Sequence, residues 1–268
     1  MASAPSGGAT LALRGIAVQY PGALTPAVHE VDLTVAAGEF TVLLGPSGCG
    51  KSTLMRTINR LIEPTAGSIA IDGVDVRTLD PVVLRRGIGY VIQAVGLFPH
   101  FTIAQNIGVV PQLLGWERAR IEARVDELLA LVRLEPARYR ARLPRELSGG
   151  EQQRAGVARA LAAEPRLLLM DEPFGAVDAI VRASLQDQIR AIHDTLGTTI
   201  VFVTHDIDEA LRVADRIVVM NAGTIVQNDV PDALLANPAS NIVRGLIGID
   251  ARSRAFAEAR PLLARESA

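Results

Sequence analysis

The stretch GPSGCGKST, residues 45–53, sets three glycines ahead of a lysine and two hydroxyl residues. Gly45, Gly48 and Gly50 permit a backbone curl in which successive N–H groups face one anion. An apolar run precedes the stretch and a helical pattern follows it, so the positive end of a helix adds to the attraction. Lys51 is the only lysine among 27 basic residues, which sets it apart from a general preference for arginine. A compact ammonium on a slim stem suits a cradle that a wide, planar guanidinium would not. The pattern G-x-x-x-x-G-K-[ST] predicts a loop for nucleotide phosphates, with Lys51 reaching the β- and γ-phosphates and Ser52 offering its hydroxyl to Mg²⁺. A Gly-rich turn with a surface lysine would have the same letters; the flanking strand and helix patterns speak against it.

Two further stretches carry chemistry. RLLLMDEP places Asp171 and Glu172 at the end of an apolar run. Ligands of open parallel sheets sit beyond the carboxyl ends of the strands. Asp171 is therefore placed to hold Mg²⁺ through water, and Glu172 to orient or deprotonate an attacking water. Alone, the pair also reads as the acidic start of a helix; beside a phosphate loop it reads as the metal and water side of a nucleotide site. ELSGGEQQR, residues 146–154, has Ser148 as a helix N-cap followed by two glycines that expose backbone N–H groups. It is either an ordinary capped helix or a second anion site.

These residues need a scaffold. VDLTVAAGEFTVLLG shows an alternating run, a turn at Ala37-Gly38 and an apolar strand ending at Gly45. Residues 51–62 read as a helix, SIAIDGVDV (68–76) as a hairpin about an Asp-Gly turn, and IGYVIQ (88–93) as a buried strand. In residues 117–134, Ile121, Val125, Leu128, Leu129 and Val132 share one helical face. The chain is predicted to be mostly helical from about 95 to 163. Strands return at 166–171, 198–205 and 215–220, with helices between. The expectation is an α/β core with a mostly parallel sheet, an N-terminal antiparallel β subdomain and an inserted helical subdomain.

Composition narrows the class. A formal charge of −2 offers no general grip on nucleic acid. The one cysteine, Cys49, makes no disulfide framework or Cys-rich metal site. The N-terminus lacks a signal-peptide pattern, and no apolar run reaches the roughly 20 residues that span a bilayer. A soluble, cytoplasmic protein is expected, with any membrane crossing done by another chain.

With these motifs in hand, LSGGEQQR resembles the signature of ATP-binding cassette (ABC) ATPases. The resemblance covers about residues 10–245, leaving 1–9 as a flexible N-terminus and 246–268 as a short tail. It implies that GPSGCGKST is Walker A, so that Gly45, Pro46, Ser47, Gly48, Cys49, Gly50, Lys51, Ser52 and Thr53 bind ATP. It implies adenine stacking on Tyr20 and a Q-loop glutamine at Gln93, which contacts Mg²⁺. Ser148, Gly149 and Gly150 match the signature core, Asp171 and Glu172 match Walker B and the catalytic glutamate, Asp178 the D-loop aspartate, and His205 the switch histidine at the γ-phosphate. By themselves Tyr20 reads as a packed surface aromatic, His205 as a strand-end residue, and Asp178 as a helix cap.

In this family two cassettes pack head to tail, so the resemblance implies a homodimer. INRLIEPTAG, IGYVIQAVGLFPH, LLMDEPFGAVDAI and VFVTHDIDEA resemble the branch that imports osmoprotectants: glycine betaine, choline, carnitine and related quaternary amines. Ala94 and Ala179 depart from its usual residues, and the stretch after 245 is too short for the paired CBS domains of some members. The implied protein is the cytoplasmic, membrane-peripheral ATPase subunit of an importer. Its partners would be permease subunits and, indirectly, a substrate-binding protein, with no nucleic acid. Alternatives are an importer ATPase for another small solute, a soluble ABC ATPase outside transport, or a nucleotide-binding module without turnover. A GTPase is disfavoured, because its guanine-reading motif needs a second lysine.

Overall fold

The computed structural model describes residues 7–93, 96–174 and 179–248, with the backbone alone over 179–181. Ala94, Asp178, and the expected tail beyond 248 lie outside the described residues. Of the segment 1–9, the described part begins at Gly7. Gly8 and Ala9 are buried, Ala9 N–H donates to Arg166 O, and the Arg166 guanidinium bonds Gly8 O. Residues 1–6 lie outside the description.

In chain order the elements are β1 (Leu11–Val18), β2 (Val28–Val35), β3 (Phe40–Leu44), α1 (Lys51–Ile58), β4 (Ala66–Ile71), β5 (Val74–Asp75), α2 (Pro81–Arg86) and β6 (Ile88–Val91). They continue as α3 (Ile103–Leu113), α4 (Arg118–Leu131), α5 (Pro136–Tyr139), α6 (Gly149–Leu161), β7 (Leu167–Asp171) and α7 (Ala179–Leu196). The last are β8 (Thr199–Thr204), α8 (Ile207–Val213), β9 (Arg216–Asn221), β10 (Thr224–Asp229), α9 (Pro231–Ala236) and α10 (Asn241–Ile247).

Among the described residues the strands form two sheets, ordered β2-β1-β4-β5 and β10-β9-β3-β8-β7-β6. The first is antiparallel. The second is parallel apart from its β9–β10 hairpin. Every residue of β3, β7 and β8 is buried, as strands covered on both faces require. Successive residues alternate between two cores. Leu168, Met170, Ile200 and Phe202 join the core with α3, α4 and α6; Leu169, Val201 and Val203 join the one with α1 and the antiparallel sheet.

The predicted helical face at 117–134 is confirmed, with Val125, Leu128, Leu129 and Val132 in the core. The first helix stops at Ile58 rather than 62. Leu61 and Ile62 N–H both return to Arg56 O, which closes the helix end, and Arg60 takes a left-handed backbone. Register positions the site: Leu44 pairs with Thr204, and Asp171 with Val203. The carboxyl ends of β3, β7 and β8 therefore lie level, and the chain leaves each of them through a residue with candidate chemistry.

Candidate nucleotide site

The loop after β3 turns as its glycines allow. Gly48 and Gly50 have φ of 78° and 106°. A Cβ on Gly45 would stand 2.2 Å from Met220 O, and one on Gly50 would stand 2.3 Å from Ala27 O, so neither tolerates a side chain. Gly50 caps α1 without a side-chain bond, and the first-turn N–H groups of α1 keep their capacity for an anion. Pro46, Ser47 and Gly48 form an exposed rim. Lys51, only 4% exposed, folds back over this curl and donates to Gly45 O at 2.7 Å and Pro46 O at 2.9 Å. Cys49 is buried beneath the loop in the core shared with Met220, its Sγ 3.8 Å from the Lys51 ammonium.

Ser52 and Asp171 lie against each other. Ser52 Oγ donates to Asp171 Oδ1 at 2.7 Å, and Asp171 is buried. These are hard oxygen donors on the loop side of the sheet, the type that suits Mg²⁺ shared with substrate phosphates rather than an all-protein cage. The residues present fit the ion. Tyr20, partly exposed after β1, reaches Thr53 with its hydroxyl at 3.2 Å from Thr53 Oγ1.

Glu172 follows Asp171 with a left-handed backbone, φ 44°, and its N–H bonds Val203 O. Such a conformation is uncommon for a residue with a side chain. It turns the chain sharply off β7. Glu172 Oε2 accepts from Gln93 Nε2 at 3.4 Å and lies 3.6 Å from His205 Nδ1. Gln93 follows β6 and His205 follows β8, so three strand ends converge on one carboxylate.

Ser148–Gly150 are placed elsewhere. Ser148 caps α6 in a reciprocal box: Glu151 N–H donates to Ser148 Oγ, and Ser148 N–H donates to Glu151 Oε2 at 2.7 Å. Tyr139 holds the other Glu151 oxygen at 2.5 Å. That hydroxyl is the main reason the Glu151 carboxyl sits below its ordinary value. Ser148 and Gly149 are exposed, and among the described residues no hydrogen bond ties them to the phosphate loop. Asp178 lies outside the described residues.

Sequence reasoning missed Arg56 and Tyr90. Arg56 Nη2 pairs with Asp171 Oδ2 at 3.2 Å. Burial works against the Arg56 charge, but Tyr90 and Asp171 outweigh it and hold its pKa above the ordinary value. Burial, aided by the charge of Asp171, pushes the Tyr90 phenol up against the opposing pull of Arg56. A sequence signal existed: Ser52 and Arg56 are four residues apart, so they share a face of α1.

A family model for the ABC transporter matches residues 28–175. The glycine betaine/carnitine/choline transport ATP-binding protein OpuCA of Bacillus subtilis (strain 168) is 56% identical over 89% of this chain and 62% of the relative. The glycine betaine uptake system ATP-binding protein YehX of Escherichia coli (strain K12) is 54% identical over 83% of this chain and 72% of the relative. The solved dimer of the ATP-binding cassette MJ0796, in a post-hydrolysis state bound to ADP and Pi, superposes with a TM-score of 0.74 at 32% identity, covering 82% of this chain and 98% of that one. The chain spans about three fifths of the length of OpuCA. With the phosphate loop, the Ser52–Asp171 pair and the Gln93–Glu172–His205 cluster at level strand ends, this chain belongs to the ABC transporter family.

Proposed function

We propose that this protein is the ATP-hydrolysing subunit of an importer for an osmoprotectant of the quaternary-amine class, such as glycine betaine or choline. It would act from the inner face of the membrane through separate permease subunits. The observation that carries the hydrolytic reading is the meeting of Gln93 and His205 at Glu172, next to the Ser52–Asp171 pair. The substrate class rests on relatives named for glycine betaine, carnitine and choline transport.

In this reading Tyr20 stacks on adenine and the 45–53 loop binds the phosphates. Lys51 leaves the Gly45 and Pro46 carbonyls to meet the β- and γ-phosphates. Ser52, Gln93 and, through water, Asp171 would hold Mg²⁺, which when bound neutralises phosphate charge. Glu172 polarises the attacking water, and His205 contacts the γ-phosphate. The Ser148–Gly150 segment, exposed at Ser148 and Gly149, closes over the nucleotide of a second copy, and Asp178 is assigned to the same interface, which gives a homodimer with two sites.

An apolar groove of about 410 Å³ runs between β6 and the α3/α6 layer, walled by Leu61, Ile88, Phe98, Val109 and Leu113. It suits a short cytoplasmic helix of the permease. Gln93 stands two residues beyond β6, between this groove and Glu172. A substrate-binding protein would deliver the cargo on the far side.

The test is reconstitution with permease and binding-protein chains of an osmoprotectant importer, measuring ATP-dependent uptake of labelled glycine betaine and choline. Uptake that stops in the Glu172→Gln variant supports the assignment. ATP turnover with uptake of an unrelated solute would replace the substrate class, and turnover without any permease dependence would favour a role outside transport.

A further inference from the structure

His205 is exposed, with its side chain 58% accessible, and its 3.6 Å approach to Glu172 Oε2 is too long to be a hydrogen bond that would fix the ring. Its two sequence neighbours are held firmly. Thr204, buried at the end of β8, donates through Oγ1 to Glu209 Oε2 at 2.6 Å. The same Oγ1 accepts from Asp206 N–H at 3.0 Å. Asp206 then caps α8, its Oδ1 accepting from Asp208 and Glu209 N–H at 2.8 and 3.3 Å. The loop is thereby closed on both sides of His205, and Glu209 from α8 is the group that closes it. Glu209 is 7% exposed, and burial raises its pKa, so its position is maintained against a desolvation cost.

One cation from another helix faces this arrangement. Arg182 of α7 lies 3.8 Å from Asp206 Oδ2 and 3.7 Å from Glu209 Oε1. These are charge contacts rather than direct hydrogen bonds, yet they engage both acids that shape the His205 loop. α7 begins at Ala179, the residue after Asp178 in sequence.

We propose that Arg182, Glu209 and Thr204 form a clasp that positions His205 and makes its placement depend on α7. The three are positioning residues: they act through His205 and touch neither phosphate nor metal. The inference rests on His205 acting at the γ-phosphate, and it adds the device that sets the histidine there. A displacement of the first turn of α7 would carry Arg182 with it and so be passed to the histidine loop.

The test is a set of variants on the full chain. Arg182→Ala and Glu209→Gln each should lower kcat about tenfold with KM for ATP within twofold of wild type, because Tyr20 and the 45–53 loop are untouched. Glu209→Gln keeps an acceptor for Thr204 while removing the charge that Arg182 meets. Arg182→Lys should recover most of the loss. Combined with one another, Arg182→Ala and Glu209→Gln should be no worse than either alone. In a His205→Ala background, Arg182→Ala should change the residual rate less than twofold. NMR of ¹³C-labelled histidine gives a readout independent of turnover: the His205 ring signal should move in Arg182→Ala, while those of His29 and His100 stay in place.

Equal fold-losses with and without His205, or an unmoved His205 signal, would overturn the clasp. If His205→Ala itself turned over ATP at the wild-type rate, the role of His205 would fail instead, so the two outcomes are distinct. A variant that does not fold is recognised by a lost thermal transition, and the milder Glu209→Gln and Arg182→Lys pair then decides.

Discussion

Ser52 and Asp171 are 119 residues apart in the chain, yet the hydroxyl of one donates to the carboxylate of the other at 2.7 Å. Arg56, one turn beyond Ser52, takes the second Asp171 oxygen. One buried carboxylate, at the end of β7, thus joins the phosphate-loop helix to the strand that leads into Glu172. These two contacts place α1 and β7 in one electrostatic unit.

Lys51→Arg should reduce ATP affinity at least tenfold although charge is retained. Lys51 lies within 3 Å of two loop carbonyls and is almost wholly buried. A guanidinium needs more width than that pocket offers. Titration with a fluorescent ATP analogue measures the change, and wild-type affinity would remove the steric account.

Glu172→Gln should keep ATP binding while lowering hydrolysis by about a hundredfold or more, within the range of a lost general base. The amide preserves the shape that meets Gln93 and His205 but not the basicity. Losing the charge also relieves repulsion against the triphosphate, so ATP, and not ADP, should drive a monomer-to-dimer shift seen by light scattering. Adding Ser148→Arg should abolish the shift by crowding the partner's γ-phosphate.

Gly50→Ala should destabilise the fold by about 2 kcal/mol or more, as strain at a left-handed position with a backbone clash does. Its φ is 106°, and the new methyl would stand 2.3 Å from Ala27 O. Urea unfolding measures the loss. Gly48→Ala meets open space, so its cost should be only that of the left-handed backbone.

Tyr139→Phe should cost about 1 kcal/mol at pH 7, the worth of a hydrogen bond to a carboxylate at the low end. The Tyr139 hydroxyl holds the Glu151 pKa below its ordinary value. A carboxylate depressed in the folded state adds stability that is present above its unfolded pKa and is lost as pH falls through the folded one. The difference between variant and wild type should therefore shrink as pH drops below about 4. Paired urea melts from pH 7 to pH 3 check the sign.

Legibility followed distance along the chain. The phosphate loop, the Asp171-Glu172 step and the Ser148 cap could be read because each is a local pattern whose residue types state their job. The alternating apolar strands could be read for the same reason, and the two cores confirm their period. Tyr90 and Glu209 could not, since a tyrosine in a strand or a glutamate at a helix start is ordinary until its partner is known, and the spacing of Arg56 from Ser52 placed it on the right face without naming Asp171. The bonds of Gly8 and Ala9 to Arg166 could not be read either, because that partner lies 158 residues from Gly8 in the chain.

The sequence by itself determined the residue types on offer: glycines that curl a loop, a single lysine, a hydroxyl and two adjacent acids. Tertiary structure alone decided which of these meet. The order β3-β8-β7-β6, with Leu44 level with Thr204 and Asp171 level with Val203, brings Gln93, Glu172 and His205 together, while Ser148 and Gly149 stay exposed at the start of α6. The reason is physical. Spacing along the backbone constrains only near neighbours, whereas pairing register and burial of both sheet faces fix which distant strand ends share a rim.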